Sequence, residues 1–166
     1  MKSLALSITM FTSLFLVACQ PVEAPVTEQA ALPSERPQFS ISTADQLETS
    51  TQTLCWEECK SSEALLNNQF SDLDNLAKEA PIFQVDDQQT LTVELGTEID
   101  PTRFSYTTYE RDGESGSTSI STQNIEEGVI EVVGDMPKIY VIGAEWYSED
   151  NQKLLGSIYT VFTLEN

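Results

Sequence analysis

Histidine is absent from this chain of 166 residues. Imidazole is the commonest general base and the commonest transition-metal ligand, so its absence excludes the Ser-His and Cys-His arrangements of many enzymes. Basic residues are also scarce: 8 Lys and Arg stand against 27 Asp and Glu, a formal net charge of -19. The phosphate backbone of nucleic acids repels such a chain. We therefore expect a protein without a cofactor or a nucleic-acid partner, whose charge keeps it soluble.

Only three cysteines are present, and the first of them follows a short apolar leader. Lys2 precedes a mostly apolar run over residues 4–16, and the sequence Leu-Val-Ala at 16–18 leads into Cys19. A positive start, an apolar stretch and small residues at its end are typical of an export signal. The segment resembles the bacterial lipobox, in which the cysteine thiol takes a diacylglyceryl group before cleavage. The resemblance implies a signal peptide over residues 1–18.

The lipobox resemblance also implies where the protein lies. Cys19 becomes the lipidated mature N-terminus, and the protein is anchored to a cell membrane or an outer membrane, outside the cytoplasm. Gln20 is not the aspartate that resembles an inner-membrane retention signal, which favours the outer membrane in a host that has one. The alternative is an uncleaved anchor helix, but the apolar run falls short of the ~20 residues that span a bilayer.

The other two cysteines, Cys55 and Cys59, remain as an even pair in an oxidising compartment, so we predict a structural disulfide. A redox role is the alternative. Thioredoxin-like pairs have two intervening residues, whereas this pair has three, and Glu57 and Glu58 disfavour a thiolate. Two thiols without histidine also fall short of the four ligands of a zinc site.

Residues 19–53 are predicted to form a disordered tether. Four of the seven prolines lie in it, at positions 21, 25, 33 and 37, among Ala, Thr, Ser, Glu and Gln. Such a composition buries too little apolar surface to offset the entropy of ordering. We expect the tether to hold the folded part of the chain away from the membrane.

Residues 54–81 are predicted to contain the cysteine loop and one short helix. Apolar residues recur at helical spacing over residues 72–80, and Pro81 then ends the pattern. The recurring residues are Leu73, Leu76, Ala77 and Ala80.

Residues 82–166 are predicted to form an antiparallel β-sandwich. Apolar and polar residues alternate over 90–95, 103–106 and 158–164, the period of half-buried strands. Turn-forming residues separate these stretches, which fits six or seven short strands better than any helical arrangement. The most apolar strand is expected at residues 138–147, where both faces carry apolar side chains.

This C-terminal half resembles an immunoglobulin-like domain. A turn at 134–137 leads into a strand with Tyr140 and Ala144, and a final strand follows at 156–164. The resemblance implies an immunoglobulin-like β-sandwich, although the intersheet cysteines of antibody domains are missing. It implies no function.

Two acidic stretches and three tyrosines are candidates for a binding site. The acidic stretches 72–75 and 112–114 lack the spacing of a calcium loop, so a helix start and a hairpin turn explain them better and we predict no metal site. Tyr109, Tyr147 and Tyr159 are expected to point outward from the sheet. If they cluster, they form an aromatic binding surface.

The sequence therefore predicts a membrane-anchored, non-catalytic β-sandwich that binds an envelope protein or a glycan, or has a structural role. The alternative is an enzyme or an inhibitor module whose site lies in the loops. Without histidine, an enzyme would rely on paired carboxylates, a Ser-Lys pair or a metal. A deep pocket with two facing carboxylates would favour the enzyme, and an open sheet edge would favour the binding module.

Overall fold

The computed structural model describes residues 32–67, 70, 73–86, 89–111 and 117–166. Cys19 and the predicted signal peptide lie outside this part of the chain. The fold is mainly β, as the sequence predicts. The strands are β1 (Phe39–Ser42), β2 (Gln46–Leu47), β3 (Gln52–Trp56), β4 (Ile82–Gln84), β5 (Thr90–Leu95), β6 (Arg103–Arg111), β7 (Thr118–Asn124), β8 (Val129–Glu131), β9 (Lys138–Tyr147) and β10 (Leu154–Glu165).

Two sheets make up the fold. The smaller sheet has the antiparallel order β2-β1-β5-β8. The larger sheet has the order β3-β10-β9-β6-β7, and each of these neighbours is antiparallel. β4 adds a short parallel pairing to the end of β10. The antiparallel part of the prediction is confirmed.

The main core fills the space between the two sheets. In β5, buried Leu91 and Val93 alternate with exposed residues, which is the period that the sequence predicts for a half-buried strand. The larger sheet contributes Tyr140 and Phe162, whose rings stack at a centroid distance of 5.5 Å. Both faces of β9 are covered, and the fully buried Trp146 donates its indole N–H to the carbonyl of Ile99 at 3.1 Å.

The predicted tether over residues 19–53 is wrong in its second half. Phe39 and Ile41 are core residues of β1, and Ile41 pairs with Val93 of β5. β3, which begins at Gln52, pairs with β10. Two of the tether prolines, Pro33 and Pro37, are buried. The β fold therefore does not begin at residue 82, because β1, β2 and β3 precede that residue and pair within the two sheets.

We use the name strap for the described residues 57–67, 70 and 73–80, which lie over the outer face of the larger sheet. The strap contains a short 3₁₀ turn (Ser61–Glu63) and the helix α1 (Leu73–Glu79), which corresponds to the predicted helix. Leu76 and Ala80 pack against the sheet, and Pro81 follows the helix. The part of the outer face formed by Tyr109, Val141, Tyr159 and Val161 is thereby covered by the chain itself.

Candidate functional site

The predicted disulfide between Cys55 and Cys59 is confirmed. The Cα atoms of the two residues are 5.3 Å apart and the sulfur atoms are bonded. Trp56, which lies between the two cysteines, packs edge-on against Trp146 at a centroid distance of 5.4 Å. Glu57 then donates its backbone N–H to the carbonyl of Leu155 at 2.8 Å. The cysteine loop therefore fastens the start of the strap to β10.

The three predicted tyrosines share the outer face of the larger sheet, but they do not form an exposed binding surface. Tyr109 and Tyr159 are buried, with 8% and 9% of their surface exposed. The Tyr159 hydroxyl donates to Gln52 at 2.7 Å, and its ring contacts Phe70 of the strap at 5.4 Å. The expectation of an aromatic surface is corrected, because the strap covers the face to which these tyrosines point.

Tyr147 lies apart from the other two tyrosines, beside an ion pair. Its ring lies under the Arg103 guanidinium at 5.3 Å, and its hydroxyl is 3.4 Å from Glu145 Oε2. Burial is the largest cause that raises the pKa of Tyr147 above its usual value, and the negative charge of Glu145 is the second. Burial likewise raises the pKa of Tyr109 and of Tyr159. These phenols are therefore poorer acids than a tyrosine in water.

Glu145 is the buried polar centre of the outer face, and the sequence does not reveal it. Only 1% of its side chain is exposed, and its carboxylate accepts hydrogen bonds from the backbone N–H of Leu65 and from Arg103 Nη1, the latter at 3.0 Å. The Leu65 side chain lies over Gly143, the next residue on this face of β9. A buried carboxylate satisfied by such donors anchors the strap and does not face a substrate.

An open cleft lies at one end of the larger sheet, next to the β6–β7 hairpin. Its volume is about 530 Å³, and it is lined by Glu110, Arg111, Ser117, Ser119, Asp135, Met136 and Pro137. Glu110 is 3.4 Å from Lys138 Nζ, which also donates to the carbonyl of Val133 at 2.7 Å. Glu110 and Asp135 are the two carboxylates that line the cleft, and Lys138 pairs with Glu110.

No group of three or more metal-ligating side chains occurs within the described ranges. The acidic residues Asp72, Asp112 and Glu114 of the two candidate calcium stretches lie outside those ranges. No helix in the described part of the chain is long and apolar enough to cross a membrane.

The most unusual surface is β7, at the edge of the larger sheet. All seven of its residues are exposed, and β6 is its only strand partner in the part of the chain described. Ile120 is 62% exposed, although it lies opposite the buried Tyr109. The sequence carries no charge from residue 115 to residue 125. Sequence patterning misses this surface, because β7 has no apolar alternation.

Comparison of the chain with protein-family models, curated proteins and solved structures finds no match in any of the three.

Proposed function

We propose that this chain is an extracytoplasmic lipoprotein, anchored through Cys19, whose immunoglobulin-like β-sandwich binds a partner without catalysing a reaction. The observation that carries the proposal is the uncharged edge of β7, which pairs with no strand of the described residues on its outer side. An exposed strand edge presents a row of unpaired N–H and C=O groups to another strand. Of the two partner classes expected from the sequence, this favours a protein over a glycan, because a protein can add a strand.

The lipid anchor is supported by the leader and by the odd number of cysteines. The disulfide occupies Cys55 and Cys59, which leaves Cys19 as the one cysteine that the pair does not account for. A disulfide also fits an oxidising compartment outside the cytoplasm. The immunoglobulin-like architecture is supported by the two facing sheets and by the central position of β9.

The alternative, an enzyme or inhibitor with a loop site, would use the cleft near Glu110 and Asp135. The Lys138 ion pair engages Glu110, and the buried carboxylate of Glu145 is covered by the strap. We therefore place the function at the β7 edge.

Membrane fractionation tests the anchor. Cys19→Ser should move the protein out of the membrane fraction or leave it as an uncleaved precursor, because the thiol that takes the lipid is gone. The matched control is the double variant Cys55→Ser, Cys59→Ser, which should stay processed and membrane-bound. A processed Cys19→Ser protein that remains in membranes would contradict the anchor.

Site-specific photocrosslinking tests the binding edge. A photoreactive amino acid at position 120 of the full chain should crosslink to a protein in intact cells. The same amino acid at position 133 should not, although Val133 is 61% exposed and Ile120 is 62% exposed. Equal crosslinking from both positions, or none from position 120, would show that the β7 edge is not the binding surface.

A further inference from the structure

The backbone groups that β7 offers to a partner follow from its pairing with β6. The N–H of Ile125 donates to the carbonyl of Phe104 at 2.9 Å, and the register continues without a shift to Arg111 opposite Thr118. In an antiparallel ladder, opposing pairs alternate between exchanging hydrogen bonds and not exchanging them. The odd-numbered residues of β7 therefore bond to β6. The N–H and C=O groups that point to the open edge belong to Thr118, Ile120, Thr122 and Asn124.

The residues of β7 themselves include none of the devices by which a strand blocks pairing at its edge. The strand has no lysine, no proline and no register shift, and it is seven residues long. None of its side chains is buried on either face, so packing contributes little to offset the cost of ordering the strand. A second strand along this edge would supply the missing hydrogen bonds and side-chain contacts.

We propose that a second copy of this chain occupies the edge, with the two β7 strands antiparallel about a two-fold axis at Ser121. This inference rests on the proposed function and names the partner at the same edge. Pairing about Ser121 sets Thr118 against Asn124 and Ile120 against Thr122. Each pair then joins residues whose backbone groups point outward, so about eight hydrogen bonds form across the axis. A register shifted by one residue would leave these groups unmatched.

The side chains fit the same arrangement. Ile120 and its symmetry mate become diagonal neighbours on one face of the joined sheet, within reach of each other. The most exposed apolar side chain of the edge is thereby covered by its own copy. Every directly opposed pair from residue 118 to residue 124 is uncharged, so the net charge of -19 puts no like charges in direct register there.

The charges that follow β7 favour the antiparallel direction. The acidic residues Glu126 and Glu127 follow the end of the strand. Parallel pairing would bring these acidic residues of the two copies together, whereas antiparallel pairing places them at opposite ends of the pair. Anchoring both copies to one membrane would raise their effective concentration.

Disulfide trapping in the full, membrane-bound chain tests the register. In the proposed pair the two Ser121 Cα atoms are ~4.5 Å apart, within the range that a disulfide bridges, so Ser121→Cys should give a covalent dimer on oxidation. The matched control is Ser119→Cys, an exposed serine on the same face of the same strand. Its symmetry mate is ~14 Å away along the partner strand, so no dimer should form.

The parent chain, oxidised under the same conditions, gives the background yield of covalent dimer. Dimers from both cysteine variants in equal yield would indicate parallel or unspecific contact, and dimers from neither would show that no such pair exists. Either result overturns the proposal.

Measurement of mass against concentration for the detergent-solubilised full chain is the second test. Ile120→Lys should raise the dimer dissociation constant roughly tenfold or more, because each symmetric contact gains two like charges. Val133→Lys, with the same added charge at an equally exposed position, should leave the constant within about twofold.

A parent chain that stays monomeric at every concentration overturns the self-pairing. If position 120 then crosslinks to another protein, the partner is foreign, and the proposed binding function survives without this inference. If the chain dimerises through Ser121 while Cys19→Ser remains processed and membrane-bound, the anchor fails and the self-pairing stands.

Discussion

Leu65 of the strap occupies the space in which a side chain on Gly143 would lie. A β-carbon added to Gly143 would be 3.1 Å from Leu65 Cγ and closer still to Leu65 Cδ2. Gly143 lies between the buried Val141 and Glu145 on the outer face of β9. The strap therefore reaches the sheet at the one position of this face that has no side chain.

Gly143→Ala should lower the free energy of unfolding by ~1–3 kcal/mol, because Leu65 must move or the backbone must shift. Urea unfolding measures the change. Gly96→Ala is the control, since an added β-carbon there would have its nearest neighbour 4.0 Å away. In the double variant with Leu65→Ala, the penalty of Gly143→Ala should shrink. Equal penalties with and without Leu65 would contradict this contact.

A chain that starts at residue 32 should melt cooperatively, whereas a chain that starts at residue 82 should not fold. The shorter fragment loses Phe39 and Ile41 from the core and loses β3 from the edge of β10. Circular dichroism and thermal melts of the two fragments provide the comparison. A cooperative melt of the 82–166 fragment would show that the N-terminal strands are dispensable.

Stability should fall steeply in alkali, because burial raises the pKa of Tyr140 from its ordinary value of 10.0 to about 12. Below pH 10 the Tyr140 phenol is neutral in both the folded and the unfolded chain, so its contribution to the free energy of unfolding is fully present. Between about pH 10 and pH 12 the phenol is ionised in the unfolded chain but still neutral in the folded one. Each pH unit in this range therefore lowers the free energy of unfolding by ~1.4 kcal/mol.

Tyr140→Phe should make the loss of stability with rising pH shallower, as measured by urea unfolding from pH 8 to pH 12. Tyr147→Phe is the comparison, because Tyr147 is only half-buried and should change the slope less. An unchanged slope in Tyr140→Phe would show that this phenol does not govern the alkaline loss.

Reduction of the disulfide between Cys55 and Cys59 should leave the protein folded and cost at most ~2 kcal/mol, because the bond closes a very short loop. Alkylation with mass spectrometry before and after reduction identifies the bond, and urea unfolding gives the cost. Free thiols in freshly isolated protein would show that the bond does not form in the cell. Turnover in an insulin-reduction assay would instead show a redox function.

The sequence predicts the strands whose burial alternates. Leu91 and Val93 in β5 and the apolar run in β9 produce a signal in the local pattern because one or both faces are buried. β1 and β2 are too short, at four and two residues, to show a period, and the surrounding prolines and serines suggest a tether. Their burial depends on partners far along the chain, which local composition does not specify.

The candidate site also has features that the local sequence predicts and features that it does not. The cysteine pair is predictable because its two members are close in sequence. The alternation places Tyr109 and Tyr159 on one face correctly, but it carries no information on the strap that covers them. The open edge of β7 follows from the order of the strands in the sheet, a property of the whole chain and not of residues 118–124.

The position of β10 in the larger sheet sets a limit on when this protein can fold. β10 pairs with both β9 and β3. β9 precedes β10 directly, so these two strands can pair locally, whereas the pairing of Ser157 with Cys55 joins residues about a hundred positions apart. In the described part of the chain β10 is the strand partner of β3, so β3 can join the larger sheet only after β10 is present.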